Sequence, residues 1–234
     1  MTSHARIGIL GGTLDPVHTG HLEAAEAARG ALALDRVIFL PTRVPPHRPS
    51  EPAASSCHRF AMASLAVNGV AGFEASDLEL RAPGPSYTAD TLGRLHQSGL
   101  VPAQIFFITG ADAFAEIDTW HRFPEVLDMS HFVVVSRPGH EALALRTRLP
   151  RLADRMAPGT RVAAQASQPS IFLVDARTAD VSSTDIRRRL SAGEPVHRLV
   201  PPSVETHIRQ HGLYSSRGTA GWFLKPADHL HGKD

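Results

Sequence analysis

An α/β fold is predicted, with a doubly wound, mostly parallel sheet and a small C-terminal helical subdomain. Three observations predict it. Short apolar runs of strand length recur along the chain, helical patterns alternate with them, and the apolar runs are nearly continuous rather than alternating, as in strands buried on both faces. Parallel neighbours need crossover connections, so the helices between them should cover both sheet faces.

The predicted strands, in order, are Arg6–Leu10, Arg36–Leu40, Gln104–Thr109, His131–Ser136 and Ser170–Val174. Between them, helical patterns cover the Ala-rich stretch Gly20–Ala33, then Ser56–Asn68, Ala89–Gln97, a looser region Ala113–Met129, and Leu143–Ala157. Thr184–Ala192 and Val200–Gln210 are the last helices. The Pro-rich segment Pro41–Pro52 follows a strand directly and reads either as a semi-rigid wall at the ligand-binding edge or as a plain linker. Residues 1–214 form one domain in this reading, with 180–214 its C-terminal helical part, and 215–234 a tail expected to be flexible.

At 234 residues the chain can bury a sizeable core, and 42% hydrophobic against 20% charged residues excludes a disordered class. A formal net charge of +1 offers no broad positive field, so no nucleic-acid partner is expected and phosphate chemistry must rest on local groups. Cys57 is the sole cysteine, which excludes an internal disulfide and a thiolate metal cage and fits a reducing compartment. A strand starts almost at once, with no signal-like segment before it, and no apolar run reaches membrane-spanning length. A cytoplasmic protein without a membrane partner is expected. Oligomeric state is left open, a homo-oligomer included.

The first chemical motif is Gly11-Gly12-Thr13-Leu14-Asp15-Pro16-Val17-His18-Thr19-Gly20-His21, between the first strand and first helix. Consecutive glycines let backbone N–H groups approach an anion, and a helix start adds unpaired donors with partial positive charge. His18 and His21, three residues apart, can face the same phosphate chain. An ordinary βα turn with exposed capping histidines is the plainer alternative. The segment lacks the Gly-Lys-Ser/Thr ending of a P-loop and the Gly-x-Gly-x-x-Gly dinucleotide pattern. The second motif, Val181-Ser182-Ser183-Thr184-Asp185-Ile186-Arg187, puts three hydroxyls at a late helix start. One suffices as an N-cap. The others, with Arg187, could make a second anion site, while Arg188 and Arg189 point elsewhere.

Both motifs resemble those of the His-x-Gly-His nucleotidyltransferase superfamily, which implies a Rossmann-like fold. The middle of the chain narrows the resemblance to the bacterial nicotinate mononucleotide adenylyltransferases. It rests on Pro45-Pro46-His47-Arg48, Pro85-Ser86-Tyr87-Thr88, Gly110-Ala111-Asp112, Thr119-Trp120-His121 and Arg137-Pro138-Gly139, along Ile7 to Tyr214. The resemblance implies transfer of AMP from ATP to nicotinate mononucleotide, with Mg2+ accompanying ATP. His18, His21 and Arg187 are the implied catalytic residues. Gly11, Gly12, Thr13, Gly20, Ser182, Ser183 and Thr184 join them on ATP. Asp15, Thr42, His47, Arg48, Tyr87, Thr88, Asp112, Trp120, His121 and Arg137 are assigned to the mononucleotide. Trp120 would stack on the pyridine ring, with core packing as its alternative; Asp112 would hold ribose hydroxyls, with helix capping as its own. The chain departs from the family at Leu14, usually Phe, at Thr42, often Asn, and at His121, commonly Tyr. Rival activities are phosphopantetheine adenylyl transfer and a preference for nicotinamide mononucleotide. His207 and His211, four apart on a helix, could share a metal, but no third ligand is evident, and no protein-held metal is expected. His229 and His231 are expected to be solvated.

Overall fold

The structure is a computed structural model describing residues 5–46, 51–160 and 168–215. Seven strands form one sheet in the order β3-β2-β1-β4-β5-β7-β6, every neighbouring pair parallel. They are β1 Ile7–Gly12, β2 Arg36–Pro41, β3 Phe73–Ala75, β4 Ile105–Gly110, β5 His131–Val135, β6 Met156–Pro158 and β7 Ile171–Val174. All five expected strands are present. The two additions, β3 and β6, are three residues each and lie at the sheet edges, too short for a periodic signal.

The helices are α1 Thr19–Leu32, α2 Ser56–Val67, α3 Thr88–Gln97, α4 Ala111–Phe114, α5 Leu145–Arg148, α6 Ser183–Ser191 and α7 Pro202–Gln210. One expectation is corrected: Leu143–Ala157 is not a continuous helix. Only α5 is α-helical there; Pro150 opens a 3-10 segment, Pro150–Arg155, and Met156–Ala157 enter β6. Proline has no N–H to give the preceding turn, so α5 stops just before it.

Apolar residues pack on both faces of the sheet. On one, Val37, Phe39 and Phe106 meet Ala25, Ala28 and Leu32 of α1 and Met62 and Ala63 of α2. On the other, Ile9, Phe107 and Val134 meet Leu92 and Leu95 of α3 and Phe114 of α4. The C-terminal helices share the first of these cores through Ile186, Val204 and Ile208. The chain runs from β1 outward to β2 on one side and from β4 outward to β5 on the other. The crevice between the carboxyl ends of β1 and β4 is therefore the topological switch point, where such sheets bind ligands.

Candidate active site

A cavity of about 370 Å³ opens at this switch point, within the usual range of small-molecule sites. Gly11, Gly12 and Thr13 from the end of β1 form one wall, and His18, Gly20 and His21 from the start of α1 another. Gly110 at the end of β4, with Asp112, Trp120, His121 and Arg137, lines the cavity as well, as do Thr42, Tyr87 and Thr88. Pro45 and Pro46 also line it, so the described part of that loop is a wall.

His18 is the extended N-cap of α1 and is almost fully buried. Its ring lies against that of His21, centroids 3.7 Å apart. The His18 backbone N–H donates to Nδ1 of His21 at 3.2 Å. Nδ1 of His21 must then be the unprotonated nitrogen, leaving Nε2–H as a donor. Nδ1 of His18 is buried without a hydrogen-bond partner among the described residues. Gly20 serves this arrangement. A Cβ there would stand 3.2 Å from Nδ1 of His18 and 3.2 Å from Cγ1 of Val181, so the missing side chain makes room for the imidazole rather than for ligand alone.

Burial, then the charge of Arg137, pushes the His18 pKa down to about 3. His21 is also lowered well below its usual value, by burial first, then by His18 and Arg137. Both rings are neutral donors near pH 7. An unfolded histidine titrates near 6.5, so between that value and about 3 the unfolded chain binds more protons than the folded one. These two groups therefore cost stability as pH falls below about 6.5 and are silent above it. The urea midpoint of the wild type should fall more between pH 7.5 and pH 5 than that of the His18→Ala/His21→Ala double variant; equal falls would show that neither ring is held neutral.

On the opposite wall Trp120 is half-buried. One edge packs on Phe107 and Phe132, with centroids 6.2 Å and 6.3 Å away, and the indole also lines the cavity. Core packing and ligand contact are thus both open to it. Tyr87 and His121 lie ring to ring at 4.4 Å. Tyr87 is the N-cap of α3 and makes no side-chain capping bond, which leaves the first-turn donors near Thr88 uncapped beside the cavity. Arg137 donates to Asp112 at 3.3 Å, and the second carboxylate oxygen of Asp112 is buried without a hydrogen-bond partner among the described residues. Gly110 permits this, because a Cβ there would lie 2.8 Å from Cδ of Arg137. The Thr42 hydroxyl is likewise buried without a hydrogen-bond partner among the described residues.

Five sequence-predicted residues stand outside the cavity lining. Asp15 is 1% exposed, and its carboxylate accepts from the N–H groups of Ala53 at 2.8 Å and Ala54 at 3.1 Å and from the Tyr214 hydroxyl at 2.7 Å. That carboxylate is occupied in holding the chain. Ser182 caps α6 by accepting from the Asp185 N–H at 3.1 Å, and Ser183 donates to the Pro16 carbonyl at 2.9 Å. Arg187 donates to the Asp15 carbonyl at 2.6 Å and to the Thr184 hydroxyl at 3.1 Å. The second motif thus docks on the Asp15-Pro16 turn of the first. His47 and Arg48 lie outside the described residues.

Two residues absent from the sequence reading shape the site. Arg59 of α2 is 1% exposed, and its guanidinium donates to the carbonyls of Thr42 at 2.6 Å, Thr13 at 2.8 Å, Arg43 at 3.1 Å and Ala54 at 3.1 Å. It ties the Gly-rich turn to the loop after β2. Glu79 lines the cavity and accepts from the Thr91 hydroxyl at 2.7 Å. Burial raises its pKa, against hydrogen bonds from Thr91 and Ser86. An apolar-flanked acid, Leu78-Glu79-Leu80, was the only sequence hint.

Residues 9–189 match the cytidylyltransferase-like family model. A protein of Desulfitobacterium hafniense named "Probable nicotinate-nucleotide adenylyltransferase" is 45% identical over 210 residues, 89% of this chain and 95% of that one. The chain belongs to the nicotinate-nucleotide adenylyltransferases. A Roseiflexus sp. protein of the same name is 41% identical over 214 residues, 91% of this chain and 99% of the relative. Among solved structures, Plasmodium falciparum nicotinic acid mononucleotide adenylyltransferase complexed with NaAD shares the fold of this adenylyltransferase, with a TM-score of 0.69 at 17% identity over 90% of this chain and 98% of that one. In this adenylyltransferase residues 182–187 meet residues 11–21 at the Asp15-Pro16 turn. Among the described residues no helix is long and apolar enough to cross a membrane.

Proposed function

We propose that the protein transfers AMP from ATP to nicotinate mononucleotide. An oxygen of the mononucleotide phosphate attacks the α-phosphorus of ATP in line, the bond to the β-bridging oxygen breaks, and pyrophosphate leaves with that electron pair. The product is nicotinate adenine dinucleotide. No covalent enzyme intermediate is needed, and the protein's task is positioning and charge stabilisation.

One observation carries this reading: two neutral imidazoles at a helix start share one cavity with an indole and an uncapped second helix start. His18, His21 and the amides of Gly11, Gly12 and Thr13 bind the triphosphate. Arg187, with Ser182 to Thr184, reaches it from the rim after giving up the Asp15 carbonyl. Trp120 stacks on the electron-poor pyridine ring. The first-turn amides near Thr88 and the backbone of His121 receive the nicotinate carboxylate, which a helix N-terminus favours over a neutral amide. Asp112 takes ribose hydroxyls through its free oxygen, and Thr42 and Arg137 face the mononucleotide phosphate. Asp15 acts through the turn it holds.

Mg2+ fits as an ion carried by ATP. Asp112 and Glu79 already pair through one oxygen each with Arg137 and Thr91, and in this reading the triphosphate oxygens and water would hold the ion. When bound it neutralises charge on the departing pyrophosphate. A cytoplasmic location is part of the proposal, supported by a single cysteine.

Pyrophosphate release is the test. With ATP, release should be fastest with nicotinate mononucleotide, at least tenfold slower with the nicotinamide form and absent with phosphopantetheine. Equal rates with acid and amide would remove the carboxylate role of the α3 N-terminus. ATP binding without release for any acceptor would favour a nucleotide sensor.

A further inference from the structure

His207 and His211 lie one turn apart at the end of α7, and the sequence offers no third ligand beside them. The packing of α2 on α7 supplies one. His58, in the first turn of α2, is 149 residues away from His207 in the chain, yet its Nδ1 stands 3.1 Å from Nε2 of His207. One nitrogen from each of the three imidazoles lies within 4.8 Å of the others. The rings of His58 and His211 are 4.8 Å apart, and those of His207 and His211 4.4 Å.

We propose that His58, His207 and His211 form a binding site for a divalent transition-metal ion, zinc above all, joining α2 to α7 outside the catalytic cavity. Zinc–imidazole bonds of about 2.0–2.1 Å in a tetrahedron hold their nitrogens about 3.3 Å apart. The closest pair is already at that separation, and His211, which is exposed, can close the remainder by side-chain rotation. A hydrogen bond between two neutral rings explains the pair His58 and His207, but not a third imidazole turned toward both. An all-imidazole donor set selects zinc, nickel or copper over magnesium and calcium. The nearby acid Glu205 is already paired with Arg209, and the fourth position is left to water.

The location gives the ion a structural effect. His58 precedes Arg59, whose guanidinium holds the carbonyls of Thr13 and Thr42 at the cavity wall. α7 leads to Tyr214, whose hydroxyl donates to Asp15. An ion between the helices tethers both anchors, and it binds only the folded chain, so it stabilises that state by mass action.

Metal-free full-length protein titrated with Zn2+ against a chromophoric chelator tests the site. The expected result is one equivalent bound at micromolar or tighter dissociation, with a rise in melting temperature. His58→Ala and His211→Ala should each weaken binding at least tenfold and abolish the thermal shift. His211 is exposed, so its variant keeps the test valid if His58→Ala misfolds. Absence of stoichiometric binding, or wild-type binding by the His211→Ala variant, would overturn the proposal and, in the second case, send the ion to other histidines. The outcome is independent of adenylyl transfer.

Discussion

Replacing His18 by alanine is expected to lower kcat about 10²–10³-fold while changing the KM for ATP only a few-fold, the usual cost of removing one preorganised donor that faces developing negative charge. The ring is buried and neutral in the free protein, and its Nδ1 has no hydrogen-bond partner among the described residues. A buried polar atom left unpaired costs roughly 1–3 kcal/mol, so this nitrogen adds nothing to the stability of the folded protein. The melting temperature should hence barely fall, and the loss should appear in turnover. His21→Ala removes a second donor and also the acceptor of the His18 N–H. It should match His18→Ala in kcat and lose more stability. Steady-state kinetics with thermal melts separates the two variants. A His18→Ala enzyme that keeps its kcat would take the ring out of the transition state.

The Gly-Gly turn and the helix start with its two histidines were legible because everything they need is local. A strand, two glycines, an N-cap and a histidine one helical turn later lie in one short window, and local backbone rules assemble them without help from the rest of the chain. The same holds for the five longer strands, whose continuous apolar runs can only be satisfied between two helical layers. The three-residue edge strands β3 and β6 carry no such pattern, and β6 ends in proline. Long-range pairings were beyond any window. Asp15 looked like a ligand because it sits inside the phosphate motif, yet its partners are Ala53, Ala54 and Tyr214. Glu79 had no place in the sequence reading, and only the packing of α3 puts Thr91 against it. His58 carried no sign of His207. In each case the deciding partner is many residues away, where spacing carries no information.

Arg59 gives the largest expected effect on stability. Arg59→Met keeps the length of the side chain and removes the guanidinium, leaving the carbonyls of Thr13, Thr42, Arg43 and Ala54 without its donors. Hydrogen bonds from a charged group contribute about 1.5–3 kcal/mol each, and their loss is not additive because water can enter part of the site. A total near 3–5 kcal/mol follows, a large share of a domain's stability. Arg59→Lys should rescue little, since a single ammonium cannot present the planar fork that spans four acceptors. The same bonds join the Gly-rich turn to the loop after β2, so either variant that folds should also raise the KM for the mononucleotide through displacement of Thr42. Urea denaturation of both variants alongside acceptor kinetics checks this. A lysine variant as stable as the wild type would mean that charge alone, rather than the fork, holds the loops, and an unchanged KM would detach the clamp from the cavity wall.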